Sequence, residues 1–219
     1  MKNKIHKYDF LIMGAGLIGA IAALTLVQKE YKVLVIDKKN NKLKDNRTLA
    51  VNANSSDFLK ELGIWESLKS KPQKIEKIVI KDNINDHPLI FVNDDEPMGN
   101  VIFNKEVYEI TRKRLENLEI LKVDVNLEFT KILPNKIVKI NNKNYLFKKI
   151  IVSIGKSIIS DVNHKSIVFD QEQYSYVGFF KHTNNHNNTA YEIFTQHGPL
   201  AVLPSPSTKK NKSTFIYSS

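Results

Sequence analysis

The sequence predicts an α/β fold opened by a parallel βαβ unit, and three observations carry that reading. The apolar run Phe10-Leu11-Ile12-Met13 leads straight into Gly14-Ala15-Gly16-Leu17-Ile18-Gly19. An Ala- and Leu-rich stretch follows from Leu17 to Lys29, and a second apolar run, Val33-Leu34-Val35-Ile36, ends at Asp37. The order is strand, glycine turn, helix, strand, acid.

Each part has a task at a dinucleotide site. Gly14 serves a tight turn, Gly16 lets the backbone approach a pyrophosphate, and Gly19 allows the helix to pack closely on the strand. The amides at the helix N-terminus then face the phosphates, and Asp37 stands where a carboxylate accepts hydrogen bonds from the adenosine ribose hydroxyls. A parallel βαβ unit with a glycine turn and no ligand is the alternative reading of the same residues.

Further along, Ser55-Ser56-Asp57-Phe58-Leu59-Lys60-Glu61-Leu62-Gly63 offers capping residues, an apolar pair and a closing glycine, which predicts a short helix with Ile64 and Trp65 packed inward after it. Ile78-Val79-Ile80 and Leu89-Ile90-Phe91-Val92 read as strands across the turn-rich 82–88. A second helix is expected from Lys105 through Leu118, then short strands around Ile120 to Val125, Lys136 to Ile140 and Tyr145 to Phe147, the last two joined by Asn141-Asn142-Lys143-Asn144. Ile150-Ile151-Val152 is a further apolar run, and from Tyr174 onward the pattern is mainly strand.

At 219 residues and 42% hydrophobic, the chain can bury a substantial core in one large or two small domains. No apolar run is long enough for a membrane span, and no signal-type segment precedes the first strand, so a cytoplasmic location is expected. The absence of Cys removes disulfides, thiolate metal sites and Cys nucleophiles. His182 and His186 lie in a polar, Asn-rich loop, and no metal site is expected there. The net charge of +10 is spread along the chain without a basic stripe interleaved with aromatics, so nucleic-acid binding is not expected.

With these elements placed, the chain resembles the N-terminal part of the FAD-dependent aromatic hydroxylases, in the ubiquinone-biosynthesis branch. Four segments carry the resemblance: Gly14 to Gly19 through Asp37; Asp45-Asn46-Arg47-Thr48-Leu49-Ala50-Val51 running into Leu59-Lys60-Glu61-Leu62-Gly63-Ile64-Trp65; Gly99-Asn100-Val101-Ile102-Phe103-Asn104-Lys105; and Phe194-Thr195-Gln196-His197-Gly198-Pro199-Leu200-Ala201-Val202-Leu203-Pro204. The resemblance implies a Rossmann-like FAD-binding βαβ domain with an inserted, strand-rich substrate domain, C-terminally truncated. The cofactor domain is expected over 1–70 and about 100–160, and the partial substrate domain over 71–99 and about 165–219.

The resemblance assigns Gly14, Ala15, Gly16, Leu17, Ile18, Gly19, Asp37, Lys38, Arg47, Asn104 and Val125 to FAD. Arg47 is alternatively a surface arginine, Asn104 a helix N-cap and Val125 a plain core valine. His197, Gly198 and Pro199 fall on the substrate side, with no acid–base work assigned to His197 and no catalytic side chain named. The implied activity is hydroxylation of a polyprenylated phenol, with NAD(P)H or another reductant as electron donor. A complementing C-terminal chain, other quinone-biosynthesis enzymes and peripheral membrane contact are the implied partners.

Two departures qualify this. The family's second fingerprint, an Asp-Gly pair, should fall near Ile151-Val152-Ser153-Ile154-Gly155-Lys156-Ser157, where Gly155 is present and Ile154 replaces the acid. The third, a Gly-Asp motif beyond the Gly-Pro-Leu segment, does not occur before Ser219. A truncated or split hydroxylase is therefore expected, with the activity of this chain alone left open. A non-catalytic remnant or scaffold and a nicotinamide-dependent oxidoreductase are the alternatives.

Overall fold

The computed structural model describes residues 5–38, 47–82, 87–125, 131–133, 137–140, 143–155, 172–207 and 209–219. Asp45, Asn46, Asn141, Asn142, Lys156, Ser157 and the turn residues 83–86, all used above, lie outside the described residues. In chain order the elements are β1 (His6–Met13), α1 (Leu17–Gln28), β2 (Val33–Ile36), β3 (Thr48–Val51), α2 (Ala53–Glu61), β4 (Gln73–Ile75), β5 (Lys77–Asp82), β6 (Leu89–Val92) and β7 (Gly99–Phe103). They continue with α3 (Asn104–Asn117), β8 (Leu121–Lys122), β9 (Lys131–Leu133), β10 (Ile137–Ile140), β11 (Lys143–Val152), β12 (Ser175–Lys181), β13 (Thr189–Thr195), β14 (Gly198–Pro204) and β15 (Lys212–Ser218). The chain divides into two compact units, 1–43 with 107–167 and 44–106 with 168–219.

The first unit holds a six-stranded sheet in the order β8-β2-β1-β11-β10-β9. β1 runs parallel to β2, with Met13 opposite Ile36, and parallel to β11, with Met13 opposite Val152. Strands buried on both faces read as unbroken apolar runs, and all four residues of β2 are buried. Leu11, Met13, Leu34, Ile36, Val138, Ile140 and Phe147 form one core cluster on this sheet. Helix α1 buries Gly19, Ala20, Ala23 and Leu24, a stripe of mostly small residues at helical spacing that lets its backbone approach the strands.

Two apolar runs expected to be separate strands, Tyr145–Phe147 and Ile150–Val152, form the single strand β11. Lys148 and Lys149 between them break the apolar pattern, yet the strand continues because it pairs along the length of β1. Lys148 Nζ meets Asp9 Oδ1 of that neighbour at 2.7 Å. The expected strand around Ile120 to Val125 is only the two residues of β8.

The second unit contains a three-stranded sheet, β3-β7-β4, and a six-stranded sheet, β12-β15-β14-β13-β5-β6. Helix α2 is capped by the Asn52 side chain, which accepts from the Ser55 amide at 2.8 Å, and the chain leaves it through Gly63 at φ +64. Ile64 is fully buried after it, whereas Trp65 is half-buried and opens a single 3-10 turn. The segment 44–70 and strand β7, expected with the cofactor domain, group by contact with this second unit. Among the described residues no helix is long and apolar enough to cross a membrane.

Candidate functional site

At the end of β1 the chain turns through Gly14 at φ +100, a conformation L side chains rarely adopt. A Cβ there would stand 2.5 Å from the Ser153 carbonyl oxygen, and one on Gly19 would stand 2.0 Å from the Gly14 oxygen. Both positions are thus closed to any larger residue. Gly16 is different, since a Cβ there meets nothing within 4 Å. Its role is to start the helix: the Ala20 amide donates to the Gly16 carbonyl at 2.9 Å, and no side chain caps this end. The amides of Leu17, Ile18 and Gly19 precede the first intrahelical bond, and no acidic side chain occupies the first turn. An uncapped helix start beside open space is a seat for a phosphate group, which a diphosphate cofactor would supply. Ala15 is buried and Ile18 exposed on either side of this start.

Asp37 ends β2, its main-chain N–H donating to the Lys122 carbonyl at 2.9 Å. One carboxylate oxygen, Oδ1, accepts from the Lys38 amide at 2.8 Å. The other, Oδ2, accepts from Arg112 Nη1 at 2.9 Å. A carboxylate has about four lone-pair sites, so these two bonds orient Asp37 while leaving capacity for hydroxyl donors. Val125 donates its amide N–H to the Asp37 carbonyl at 3.1 Å, and its side chain belongs to the core cluster. The first unit therefore brings together Gly14 through Gly19, Asp37, Lys38 and Val125.

Arg47 and Asn104 lie on the second unit, where the Asn104 amide donates to the Arg47 carbonyl at 3.1 Å. Asn104 is buried as the first residue of α3, and Arg47 is exposed. His197 lies in the two-residue connection between β13 and β14, and Gly198 and Pro199 open β14, paired with Thr195 and Phe194. Thr195 Oγ1 donates to the Gly198 carbonyl at 2.7 Å and accepts the His197 amide at 3.2 Å. Gly198 sits at φ +128, and a Cβ there would lie 1.9 Å from the Ser218 carbonyl oxygen. His197 itself is exposed.

Two residues at the first unit's site escaped sequence reasoning. Arg112 is 6% exposed, and its Nε and Nη2 make no hydrogen bond among the described residues. Its signal was positional: Val107, Thr111 and Leu115 mark the buried stripe of α3, and a guanidinium beside that stripe requires a carboxylate partner. Ser153, one residue past β11, donates its amide to Met13 O at 2.8 Å and sets its hydroxyl 3.0 Å from Met13 O and 2.9 Å from Gly14 O. It thus braces the glycine turn from the neighbouring strand. Ile154, which stands where the resemblance expects an acid, packs against the core cluster.

The loop pair His182 and His186 is structural in character. His182 Nε2 lies 3.0 Å from Ser213 Oγ, while buried His186 accepts the Asn188 amide on Nδ1 at 3.0 Å. Burial first, then the nearby His182 and Lys210, holds His186 below the ordinary imidazole range.

The family model described as FAD binding domain matches residues 7–136. Among curated proteins the chain is 25% identical to the ubiquinone biosynthesis monooxygenase COQ6 of Caenorhabditis elegans, over 93% of this chain and 51% of that one. It is 25% identical to the ubiquinone hydroxylase UbiM of Neisseria meningitidis, over 90% of this chain and 47% of the relative. The chain thus spans about half the length of these relatives. Among solved structures, CtdE with FAD and a substrate superposes with a TM-score of 0.74 at 14% identity, over 96% of this chain and 57% of CtdE. PqsL of Pseudomonas aeruginosa, described as a probable FAD-dependent monooxygenase, gives 0.74 at 12% identity, over 97% of this chain and 60% of PqsL. These structures share the fold.

Proposed function

This chain belongs to the FAD binding domain family, and from that premise we propose that it binds FAD and forms the cofactor-holding part of a flavin-dependent hydroxylase acting on a polyprenylated phenol of ubiquinone biosynthesis. The observation that carries the reading is the uncapped start of α1 at Gly16, set beside a carboxylate fixed in orientation by Arg112 and the Lys38 amide.

In this reading the amides of Leu17, Ile18 and Gly19 bind the diphosphate, and Gly14, Ala15 and Gly16 keep the approach clear. Asp37 accepts the ribose hydroxyls, the Lys38 amide orienting its carboxylate and the Val125 amide holding its carbonyl. Arg47 and Asn104 are further donors to the cofactor, as the family resemblance assigns them, a guanidinium being suited to phosphate oxygens. Bound FAD supplies the oxygen-activating chemistry, with electrons from NAD(P)H or another reductant. His197, Gly198 and Pro199 shape the phenol side without exchanging protons. The cofactor domain in this proposal comprises 1–70 and about 100–160, and the substrate domain 71–99 and about 165–219. The two curated relatives, one named a ubiquinone biosynthesis monooxygenase and the other a ubiquinone hydroxylase, support the substrate class. A complementing C-terminal chain, other quinone-biosynthesis enzymes and peripheral membrane contact enter the proposal as the family resemblance implies them.

The test is to purify the chain, record its visible absorbance, and release and identify any cofactor. Bound FAD, lost in Asp37→Ala, is the expected result. A folded, colourless protein that takes up no added FAD overturns the proposal, and preferential binding of a nicotinamide dinucleotide would replace it with a dehydrogenase.

A further inference from the structure

A second concave site lies wholly within the second unit, a cavity of about 860 Å³ where three chain stretches converge. They are the loop leading into β4, the residue before β13, and the turn between β14 and β15. Lys69, Lys71, Lys74 and Lys210 line it together with the hydroxyls of Ser70 and Ser207, and no lining residue is acidic. Lys71, Lys74 and Lys210 have no carboxylate partner among the described residues.

The walls are held in place by hydrogen bonds from main-chain amides and uncharged side chains. Glu106 accepts the Lys69 amide at 3.1 Å, the Ser70 amide at 3.0 Å and the Ser70 hydroxyl at 2.5 Å, pinning the first loop from behind. Gln73 Nε2 donates to Asn188 Oδ1 at 2.8 Å, tying that loop to the second stretch. Asn188, held at φ +53, donates to His186 Nδ1, and the His186 amide donates to the Lys210 carbonyl at 2.9 Å, closing the link to the third. Four flexible cations around a braced concavity concentrate positive field where diffuse surface lysines would not. The volume falls in the range of small-molecule sites, about 300–1,000 Å³.

We propose that this cavity binds a phosphate-bearing anion carrying two or more negative charges, either a soluble phosphorylated compound or a lipid headgroup. Lysines act there as point charges on the phosphate oxygens, and the Ser207 hydroxyl, which only accepts from the Lys209 amide, donates a hydrogen bond. Nothing in this site depends on the cofactor site of the first unit.

The test titrates the full chain with inorganic pyrophosphate by calorimetry, at low and at raised ionic strength. Co-sedimentation with phosphatidylcholine vesicles, with and without phosphatidylglycerol, runs in parallel. One triple variant carries Lys71→Ala, Lys74→Ala and Lys210→Ala; a control of equal charge carries Lys7→Ala, Lys113→Ala and Lys139→Ala, all exposed and on the first unit. Saturable pyrophosphate binding that the cavity triple weakens at least about tenfold, and the control less than about twofold, supports the proposal with a soluble ligand. Binding confined to the anionic vesicles, with the same dependence on the two triples, supports it with a lipid headgroup. Equal weakening in both triples, or no binding to either probe, overturns it. Circular dichroism of both triples confirms that the fold is retained.

Discussion

Replacing Arg112 by Met is expected to cost about 2–3 kcal/mol of stability, and the reasoning can be followed from the geometry. The guanidinium lies 2.9 Å from Asp37 Oδ2, with side-chain exposures of 7% and 22%. Two unit charges at about 4 Å attract by about 4 kcal/mol at an effective dielectric of about 20. Desolvation of the pair offsets part of this, leaving a net value near the 1.5–3 kcal/mol typical of a charge-assisted hydrogen bond. Breaking a fully buried pair costs about 3–5 kcal/mol; the figure here is lower because Asp37 keeps some water and its second oxygen stays bonded to the Lys38 amide. Asp37→Asn leaves the more deeply buried cation with only the exposed Glu116 carboxylate, 3.5 Å from its Nε, and is expected to cost about 2–3 kcal/mol. Urea unfolding of the wild type, Arg112→Met, Asp37→Asn and the double variant gives the coupling directly, expected at about 1.5–3 kcal/mol. A coupling below about 0.5 kcal/mol would refute the pairing as an organiser of this site. If Arg112 also positions Asp37 for the ribose, Arg112→Met weakens FAD about tenfold. Arg112→Lys then restores only part, because an ammonium lacks the planar fork.

Three further outcomes are expected. Gly19→Ala places a methyl 2.0 Å from the Gly14 oxygen and 2.4 Å from Ser153 Oγ, so α1 must move off β1. A loss of about 1–3 kcal/mol in chemical unfolding is expected, together with loss of FAD binding, and wild-type stability would contradict it. Gly198→Ala meets both φ +128 and a 1.9 Å approach to the Ser218 oxygen. It should raise hydrogen exchange along β15 by about tenfold or more, and unchanged protection would show that the turn relaxes freely. Acidification should destabilise the fold through His186, whose folded value lies below its ordinary 6.5. The unfolded chain binds the proton more readily, so this contribution is complete above about pH 6.5 and is lost as pH falls below it. Melting temperatures from pH 7 to pH 5 should fall less steeply in His186→Gln, and equal slopes in the two proteins would exclude that residue as the cause.

The legible parts of the fold were those whose signals are local. The apolar runs Phe10–Met13 and Val33–Ile36, the glycine turn and the helix from Lys105 through Leu118 each announce themselves within a short stretch, because periodicity and turn geometry act over that distance. The junction at Lys148 and Lys149 misled for the same reason. Charges that look like a strand end are tolerated when a neighbouring strand brings Asp9 to within 2.7 Å, which no local pattern reveals. Trp65 opens a single 3-10 turn and is half-buried, while Ile64 just before it is fully buried, a difference that periodicity does not encode.

The sequence by itself determined the βαβ unit, its glycine turn and the position of Asp37 after it, since strand, turn and helix follow one another along the chain. Only the tertiary structure decided what surrounds them. Arg112 reaches Asp37 across 75 residues, and Ser153 reaches the Gly14 carbonyl across 139. The lysine-lined cavity draws on stretches around 69–74, 188 and 206–210. Such contacts depend on which strands become neighbours and on which helix face turns inward. That choice is made by the burial of the whole apolar surface rather than by any one segment.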